Sequence, residues 1–554
     1  MKKISTVLKG INPDAILVGL GGGAMICSLV FNFLALKNNV IFSDEGWYLC
    51  LLRDLPHYSS TRFHLLFHNV FDNDIYAIRV VCWLLRIAGC CILACGLCSL
   101  LPIPKTGKKG LFTFLIVLST LYYGQLFIVD CPSFNYISLN SVAVEIGLGF
   151  LFLGISHPRK SVLFFMLSGF FVSFLLPIMI TNSVIVPIML LTIALLSDNK
   201  LKDVLSFVVG ILLFILFYFV FVETPSEVLD FITVETKQAI DRGAGEYGVT
   251  FYINWMISSI AYLTKCFIIG VSVYCCVLFY KKGNVNGKSV LLMLVIMCLL
   301  IYGWTCVPPV YGFPNRLYGS YYWQNDLYWI LLFFLLISMI VEKRALSRIE
   351  ASVILLLAVV PVILVLGSNR SLYVRQNEYV FFLGPVLAYL MLKNNNTMYK
   401  WGLIALVSLN LLLFIPEVTG RNWGGQKFFG EHTSVRTLGI DQNIKIDRRS
   451  VKELQAFMGK VPQGEEVLVD ASNWWVIALL DYKPLSYEFD ISRRDQQSLG
   501  ELVGDCAAER DHLWIVGSKY NIEFVERMAC LDDYNMTVDT IESNVYYYLD
   551  LEND

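Results

Sequence analysis

Residues 15–36 read AILVGLGGGAMICSLVFNFLAL, an apolar run long enough to cross a bilayer as a single helix. Lys2, Lys3 and Lys9 precede it, and no small-residue cleavage site separates it from the next polar stretch. It therefore reads as a retained first span and not as a leader peptide. Gly19 and Gly23 form a G-x-x-x-G face, a pattern that usually marks close helix packing.

Similar runs recur downstream. Requiring roughly 17–25 mostly apolar residues per span, the sequence predicts about thirteen, at 14–41, 75–101, 111–129, 134–155, 161–180, 183–197, 203–222, 254–280, 289–307, 326–341, 351–367, 379–392 and 400–416. Pro177, Thr181, Asn182 and Pro187 divide one long apolar stretch into the fifth and sixth segments, a tight helical hairpin. The composition agrees: 56% of residues are hydrophobic and 16% charged, against roughly 50% and 25% in soluble domains, with a mean hydropathy of +0.60. A net charge of −2 leaves no basic surplus, which excludes nucleic acid as a partner. The 15 cysteines fall mostly in apolar runs, as at Cys90, Cys91, Cys95 and Cys98, and show no zinc-like spacing. Cys506 and Cys530 lie in a polar tail, where they read either as a disulfide or as two helical thiols.

Orientation follows from Lys and Arg in alternate loops, because short cytoplasmic loops carry the excess. With the N-terminus inside, the inner loops hold Lys105, Lys108 and Lys109; Arg159 and Lys160; Lys200 and Lys202; Lys281, Lys282 and Lys288; Lys343, Arg344 and Arg348; and Lys393 and Lys400. The outer segments are longer and carry fewer cations. Residues 1–416 then form a transmembrane domain, and 417–554 an outer soluble one. In this tail 466–470, 485–489 and 512–516 read as strands and 474–480, 499–508 and 522–530 as helices, a small α/β domain. It carries no Gly-rich phosphate loop and no nucleophile elbow, so it is expected to shape a site and not to perform chemistry.

The first span is followed by Phe42-Ser43-Asp44-Glu45-Gly46-Trp47-Tyr48, two adjacent carboxylates at the outer surface. Beside lipid such acids are tunable toward general-base work; alone, the pair also reads as an ordinary loop end. Residues 62–68 suit an interfacial amphipathic helix. On it His64 and His68, with Asp72, read either as a metal site or as interface side chains. Asp130 sits in a very short second outer loop that continues Cys131-Pro132-Ser133-Phe134-Asn135-Tyr136. Arg86 and Glu145 fall inside spans two and four, where a mutual contact is the default. Arg79, Lys265, Arg316, Arg370 and Arg375 supply outer cations suited to a phosphate leaving group or to headgroup contact. Residues 311–326, which include Tyr318, Tyr321 and Tyr322, are dense in aromatics, as a sugar site or an interface belt would be.

Together these features resemble the GT-C class of membrane glycosyltransferases, in particular the branch of protein O-mannosyltransferases and bacterial aminoarabinose transferases. The resemblance rests on Asp44-Glu45 after the first span, Asp130 in the next outer loop, the number of spans, the outer α/β tail, and 367–379, which looks like a late outer loop of bacterial members. It implies an inverting transfer of a sugar from a polyprenyl-phosphate donor to a lipid, glycan or protein hydroxyl. Asp44 would take the acceptor proton, with Glu45 or Asp130 orienting the acceptor. Arg316, Arg370, Arg375, Lys265 and Arg79 would hold the donor phosphate, and Tyr48, Asn135, Tyr318, Tyr321 and Tyr322 the sugar or acceptor. No cofactor is implied and no metal assigned. The tail shows no β-trefoil insert, and Trp474-Trp475 is followed by Val476 where oligosaccharyltransferases have Trp-Trp-Asp, so a bacterial inner-membrane enzyme with an outer C-terminal domain is expected. The alternative is a polytopic transporter or lipid-linked glycan flippase, which often shows internal repeats; none is evident.

Overall fold

The computed structural model describes residues 13–38, 44–57, 62–103 without 69 and 72–73, 133–241, 249–281, 321–366, 372, 379–393, 402–405, 408, and 431–550 without 488–490, 492–495, 509, 530–534 and 543. The chain is mostly helical. Seven described helices are long and apolar enough to cross a membrane, and three shorter apolar ones accompany them, at Ile180–Leu196, Asp326–Val341 and Leu383–Lys393. These ten coincide with ten of the predicted spans. The others, 111–129, 289–307 and 400–416, lie outside the described residues apart from 402–405 and 408, so about thirteen stays an expectation.

In chain order the first helices are α1 (Pro13–Ala35), α2 (Asp44–Asp54), α3 (Ile75–Leu100), α4 (Tyr136–Ser156), α5 (Ser161–Val172), α6 (Ile185–Leu196), α7 (Lys200–Phe221) and α8 (Pro225–Asp241). They are followed by α9 (Val249–Lys281), α10 (Tyr321–Val341), α11 (Arg348–Val365) and α12 (Leu383–Lys393). Helix α4 is apolar on every side and almost wholly buried, which makes it the axis of the bundle. It meets α3 where Gly96 faces Gly149; a Cβ on Gly96 would stand 2.5 Å from the Gly149 carbonyl oxygen. Helices α5 and α7 cross as closely at Gly169 and Gly210. Lipid supplies no hydrophobic drive between helices, so small residues that let backbones approach do that work. Gly19 and Gly23 differ: within 4 Å of a Cβ there, no described atom is found. Around Met179–Val184 the fifth and sixth segments are broken by a short 3-10 helix, as the prolines predict.

Arg86 and Glu145 face each other at 3.8 Å across α3 and α4, both buried, with the Arg86 guanidinium 4.6 Å from the Phe381 ring. The expected mutual contact is therefore present.

Loop contacts test the alternation of sides. Arg62, between α1 and α3, pairs with Glu223 after α7. The Thr181 hydroxyl between α5 and α6 donates to the Leu366 carbonyl after α11 at 3.0 Å. On the other side, the Ser161 and Ser197 hydroxyls both donate to Asp203, and Lys393 pairs with Glu350. Each contact joins two segments that the charge count puts on one side of the membrane.

Toward the C-terminus a two-stranded ribbon, β1 (His432–Ser434) with β2 (Lys445–Asp447), leads into α13 (Arg448–Lys460). A five-stranded sheet follows in the order β4-β3-β5-β7-β6, from β3 (Glu466–Val469), β4 (Lys483–Pro484), β5 (His512–Ser518), β6 (Asn535–Ile541) and β7 (Asn544–Asp550). Strands β3, β4 and β5 are parallel, with α14 (Trp474–Leu480) and α15 (Gln496–Ala507) as crossovers; α16 (Ile522–Ala529) precedes an antiparallel hairpin. The predicted strand at 485–489 is instead the short Lys483–Pro484, and 488–490 lie outside the described residues. Cys506 is buried in the second core, whereas Cys530 lies outside the described residues.

One apolar core runs without interruption from the membrane helices to the near face of this sheet, taking in Trp474, Trp475, Val516 and Tyr546. A second, with Leu468, Ile515, Phe524 and Tyr547, fills its far face. The C-terminal region is thus packed onto the bundle over its own core residues.

Candidate active site

Asp44 and Glu45 begin a helix, α2, and not the loop that the sequence suggested. One side of α2 faces the membrane helices. Glu45 is fully buried, and Arg79 of α3 donates to it through Nε at 2.7 Å and Nη2 at 2.6 Å. The Ser133 hydroxyl, three positions before α4, donates to the same carboxylate at 2.5 Å. Arg79 also reaches the end of the first span, donating from Nη1 to the Leu36 carbonyl at 2.8 Å and the Asn38 carbonyl at 3.3 Å. At least four of the five guanidinium N–H groups are thereby engaged. Charge-assisted bidentate pairing of this kind fixes orientation as well as position.

The other side of α2 faces the C-terminal region. A Cβ on Gly46 would stand 2.2 Å from the Trp475 backbone nitrogen, so only glycine lets α2 and α14 meet backbone to backbone. The Trp47 indole donates to the Tyr487 carbonyl at 2.9 Å. Arg53 donates to the Tyr482 carbonyl at 2.7 Å and the Ile477 carbonyl at 3.3 Å, and pairs with Asp54 and Asp481. Burial holds the Cys50 thiol up at about 12, so it is an inert packing group. Burial and a hydrogen bond to Asp54 likewise raise the Tyr487 phenol.

The same region also grips both ends of the segment between α1 and α3. The Lys445 amide donates to the Lys37 carbonyl at 2.7 Å, and the Gln442 side chain accepts from the Ile75 amide at 3.2 Å. Asn38 and Lys445 form a parallel bridge. The carboxyl edge of β3 and β4, the edge at which open α/β sheets take ligands, is turned toward α2 through Trp474, Trp475 and Tyr487.

The remaining predicted residues divide as follows. Asp44 is the first residue of α2; its side chain is not among those described. Asp130, Arg316, Tyr318, Arg370 and Arg375 lie outside the described residues, and Tyr321 and Tyr322 are described only as backbone of α10. Tyr48 is buried between the Trp47 and Phe63 rings, at 4.9 and 5.3 Å. Asn135 caps α4 through a reciprocal bond with Ser138. Lys265 acts electrostatically on Asp326, which accepts from the Tyr262 hydroxyl at 2.5 Å.

Residues 63–66 form a short 3-10 helix and not the expected amphipathic one. The His64 and His68 rings face the Pro56 and Leu52 carbonyls, at 3.3 and 2.9 Å. Among the described residues no three His, Cys, Asp or Glu side chains converge to hold a metal ion.

Sequence reasoning missed Ser133 and the Trp474-Trp475 pair as partners of the acid helix, and Gly46, Trp47 and Arg53 as the residues of that helix that meet the C-terminal region. A visible signal was that double tryptophan, an outlier in a polar tail. Gly46→Ala is expected to force the α2–α14 seam apart and to redshift tryptophan emission, since Trp47, Trp474 and Trp475 are all buried there. Unchanged emission and melting temperature would show that the seam is slack.

Compared with known proteins, the chain matches no family model and no curated protein.

Proposed function

We propose that this chain is an inverting GT-C-type glycosyltransferase, with about thirteen spans, that moves a sugar from a polyprenyl-phosphate-linked donor to an acceptor hydroxyl. The observation that carries the reading is the two-sided clamp on α2: Glu45, Arg79 and Ser133 hold it from the bundle, and Trp47, Arg53 and Gly46 hold it against the C-terminal region. A helix so fixed, with an acid as its first residue, is preorganised for a base that must meet its substrate in one geometry.

In this reading Asp44 takes the proton of the acceptor hydroxyl as its oxygen attacks the anomeric carbon. The bond from that carbon to the phosphate oxygen breaks, and the polyprenyl phosphate leaves with the electron pair. Arg316, Arg370, Arg375 and Lys265 receive the developing negative charge. Glu45 and Arg79 are spent on each other, so they are assigned to positioning and not to the proton or the phosphate. Asp130 orients the acceptor; in sequence it stands three positions before Ser133. The site lies on the outer face of a bacterial inner membrane, with 417–554 as the outer domain. The acceptor is a lipid, glycan or protein.

The Arg86–Glu145 pair, a charge buried at mid-span, is the feature that favours a transporter or lipid-linked glycan flippase instead. One experiment separates the two: purified protein incubated with a panel of radiolabelled polyprenyl-phosphate sugars and mixed acceptors. Consumption of one donor with release of polyprenyl phosphate is expected. Turnover of none, with donor moved across vesicle membranes, would overturn the assignment.

A further inference from the structure

Helix α8 begins four positions after the last helical residue of span α7, and the turn between them is built to change direction. Glu223 is buried there; it accepts from Arg62 Nε at 2.8 Å and from the Tyr218 hydroxyl at 2.5 Å. Thr224 and Glu227 then exchange hydrogen bonds that start α8 afresh. A charged pair held in place at the end of a span stops the chain from running straight on into water.

The faces of α8 differ. Glu227 and Asp230 are exposed on one side, while Phe231 turns inward with its ring 4.1 Å from the Arg62 guanidinium. Leu229 and Ile232, one turn apart, are 63% and 53% exposed. Singly, exposed leucines mean nothing. Here they follow directly on a span whose own side chains, Leu212, Leu216, Val220 and Phe221 of α7, are exposed in the same way, as lipid-facing residues must be.

We propose that α8 lies in the headgroup layer of the leaflet on the side of the C-terminal region, with Leu229 and Ile232 set among the acyl chains. The side is fixed by Arg62, which belongs to the segment whose two ends, Lys37 and Ile75, are held by Lys445 and Gln442. The occupant of the apolar face is lipid because α8 starts only four positions beyond the end of a lipid-facing span, and so at the border of the bilayer. Charge sets the mode of binding: α8 holds Glu227, Asp230, Glu235 and Asp241 against the single cation Lys237, so insertion rests on apolar burial and not on attraction to anionic headgroups. The inference goes beyond the proposed reaction and holds whatever the chain catalyses.

The test is depth measurement in the full chain, reconstituted in phosphatidylcholine vesicles and in vesicles that also contain phosphatidylglycerol. Because the chain has 15 cysteines, the nitroxide is attached through a genetically encoded ketone residue, at Glu227, Leu229, Asp230 or Ile232 in turn. Labels at Leu229 and Ile232 are expected to be relaxed by dissolved oxygen and shielded from a water-soluble nickel chelate. Labels at Glu227 and Asp230 should show the reverse, and both patterns should be alike in the two lipids. Equal nickel access at all four positions would place α8 in water and overturn the proposal. Exclusion of both reagents at Leu229 and Ile232 would mean that a protein surface covers them and would overturn it equally. A pattern present only with phosphatidylglycerol would overturn the apolar mode of binding.

Discussion

Asp44→Asn is expected to abolish sugar transfer and leave the fold intact. The amide matches the carboxylate in size and cannot take a proton, and loss of a positioned general base typically costs about 10²–10⁴ in rate. The fold should survive because the hydrogen bonds described for α2 belong to its other residues: Glu45 to Arg79, Trp47 to Tyr487, Arg53 to Tyr482. The measurement is turnover of the donor that the panel identifies, beside thermal melting of the same preparation. A rate within tenfold of the unsubstituted enzyme, at unchanged melting temperature, would remove Asp44 from the chemistry. A collapsed melt would instead mean that its role is structural.

For Glu45 the expected loss is one of stability. Glu45→Ala leaves Arg79 buried without its counter-charge, and breaking one side of a buried ion pair costs about 3–5 kcal/mol. Replacing Arg79 as well, as Arg79→Met, should return part of that loss, because an apolar side chain in an apolar site has nothing left to neutralise. The hydrogen bonds from Arg79 to the Leu36 and Asn38 carbonyls are lost in both Met variants, so recovery will be incomplete. Thermal unfolding of the two single variants and the double one in detergent gives the comparison. If the double variant is less stable than Glu45→Ala alone, the pair is not what holds α2. Together with Asp44→Asn this gives neighbouring acids opposite signatures, activity lost at one and stability at the other.

Much of the architecture was legible because its physics is local in sequence. Apolar runs of span length declare themselves, and the breaks at Pro177 and Pro187 were readable from a missing N–H donor and a fixed φ. Parallel strands buried on both faces also showed as short apolar runs, which is why β3 and β5 were placed closely. The hairpin of β6 and β7 was not foreseen: Asn535–Ile541 is an edge strand with a largely exposed, polar pattern, and nothing in it announces burial.

The candidate site was half legible. Chemistry-bearing residue types at a helix end pointed to Asp44 and Glu45, but the division between them was not visible. It depends on Arg79 and Ser133, which lie 34 and 88 positions away from Glu45, and only the folded chain shows which acid is taken. Arg79 was misleading for the same reason, since a cation beside an acid and a cation meant for a ligand look alike in sequence. Residues 62–68 were assigned the wrong helix type because His64 and His68 suit an amphipathic face as well as they suit the two carbonyls they meet.

Trp47 and its acceptor Tyr487 are 440 positions apart. On a chain made from its N-terminus at about 5–20 residues per second, α2 leaves the ribosome long before α14 exists. The helix must wait through the insertion of every later span before its second wall arrives, and contacts this distant in sequence form late. A truncated or stalled chain therefore holds the acids but not the clamp, and the near face of the sheet, with Trp474 and Trp475, has no cover until it docks. The two ends of the molecule mature as one, and a membrane quality-control protease would meet exposed tryptophan in every chain that had not finished.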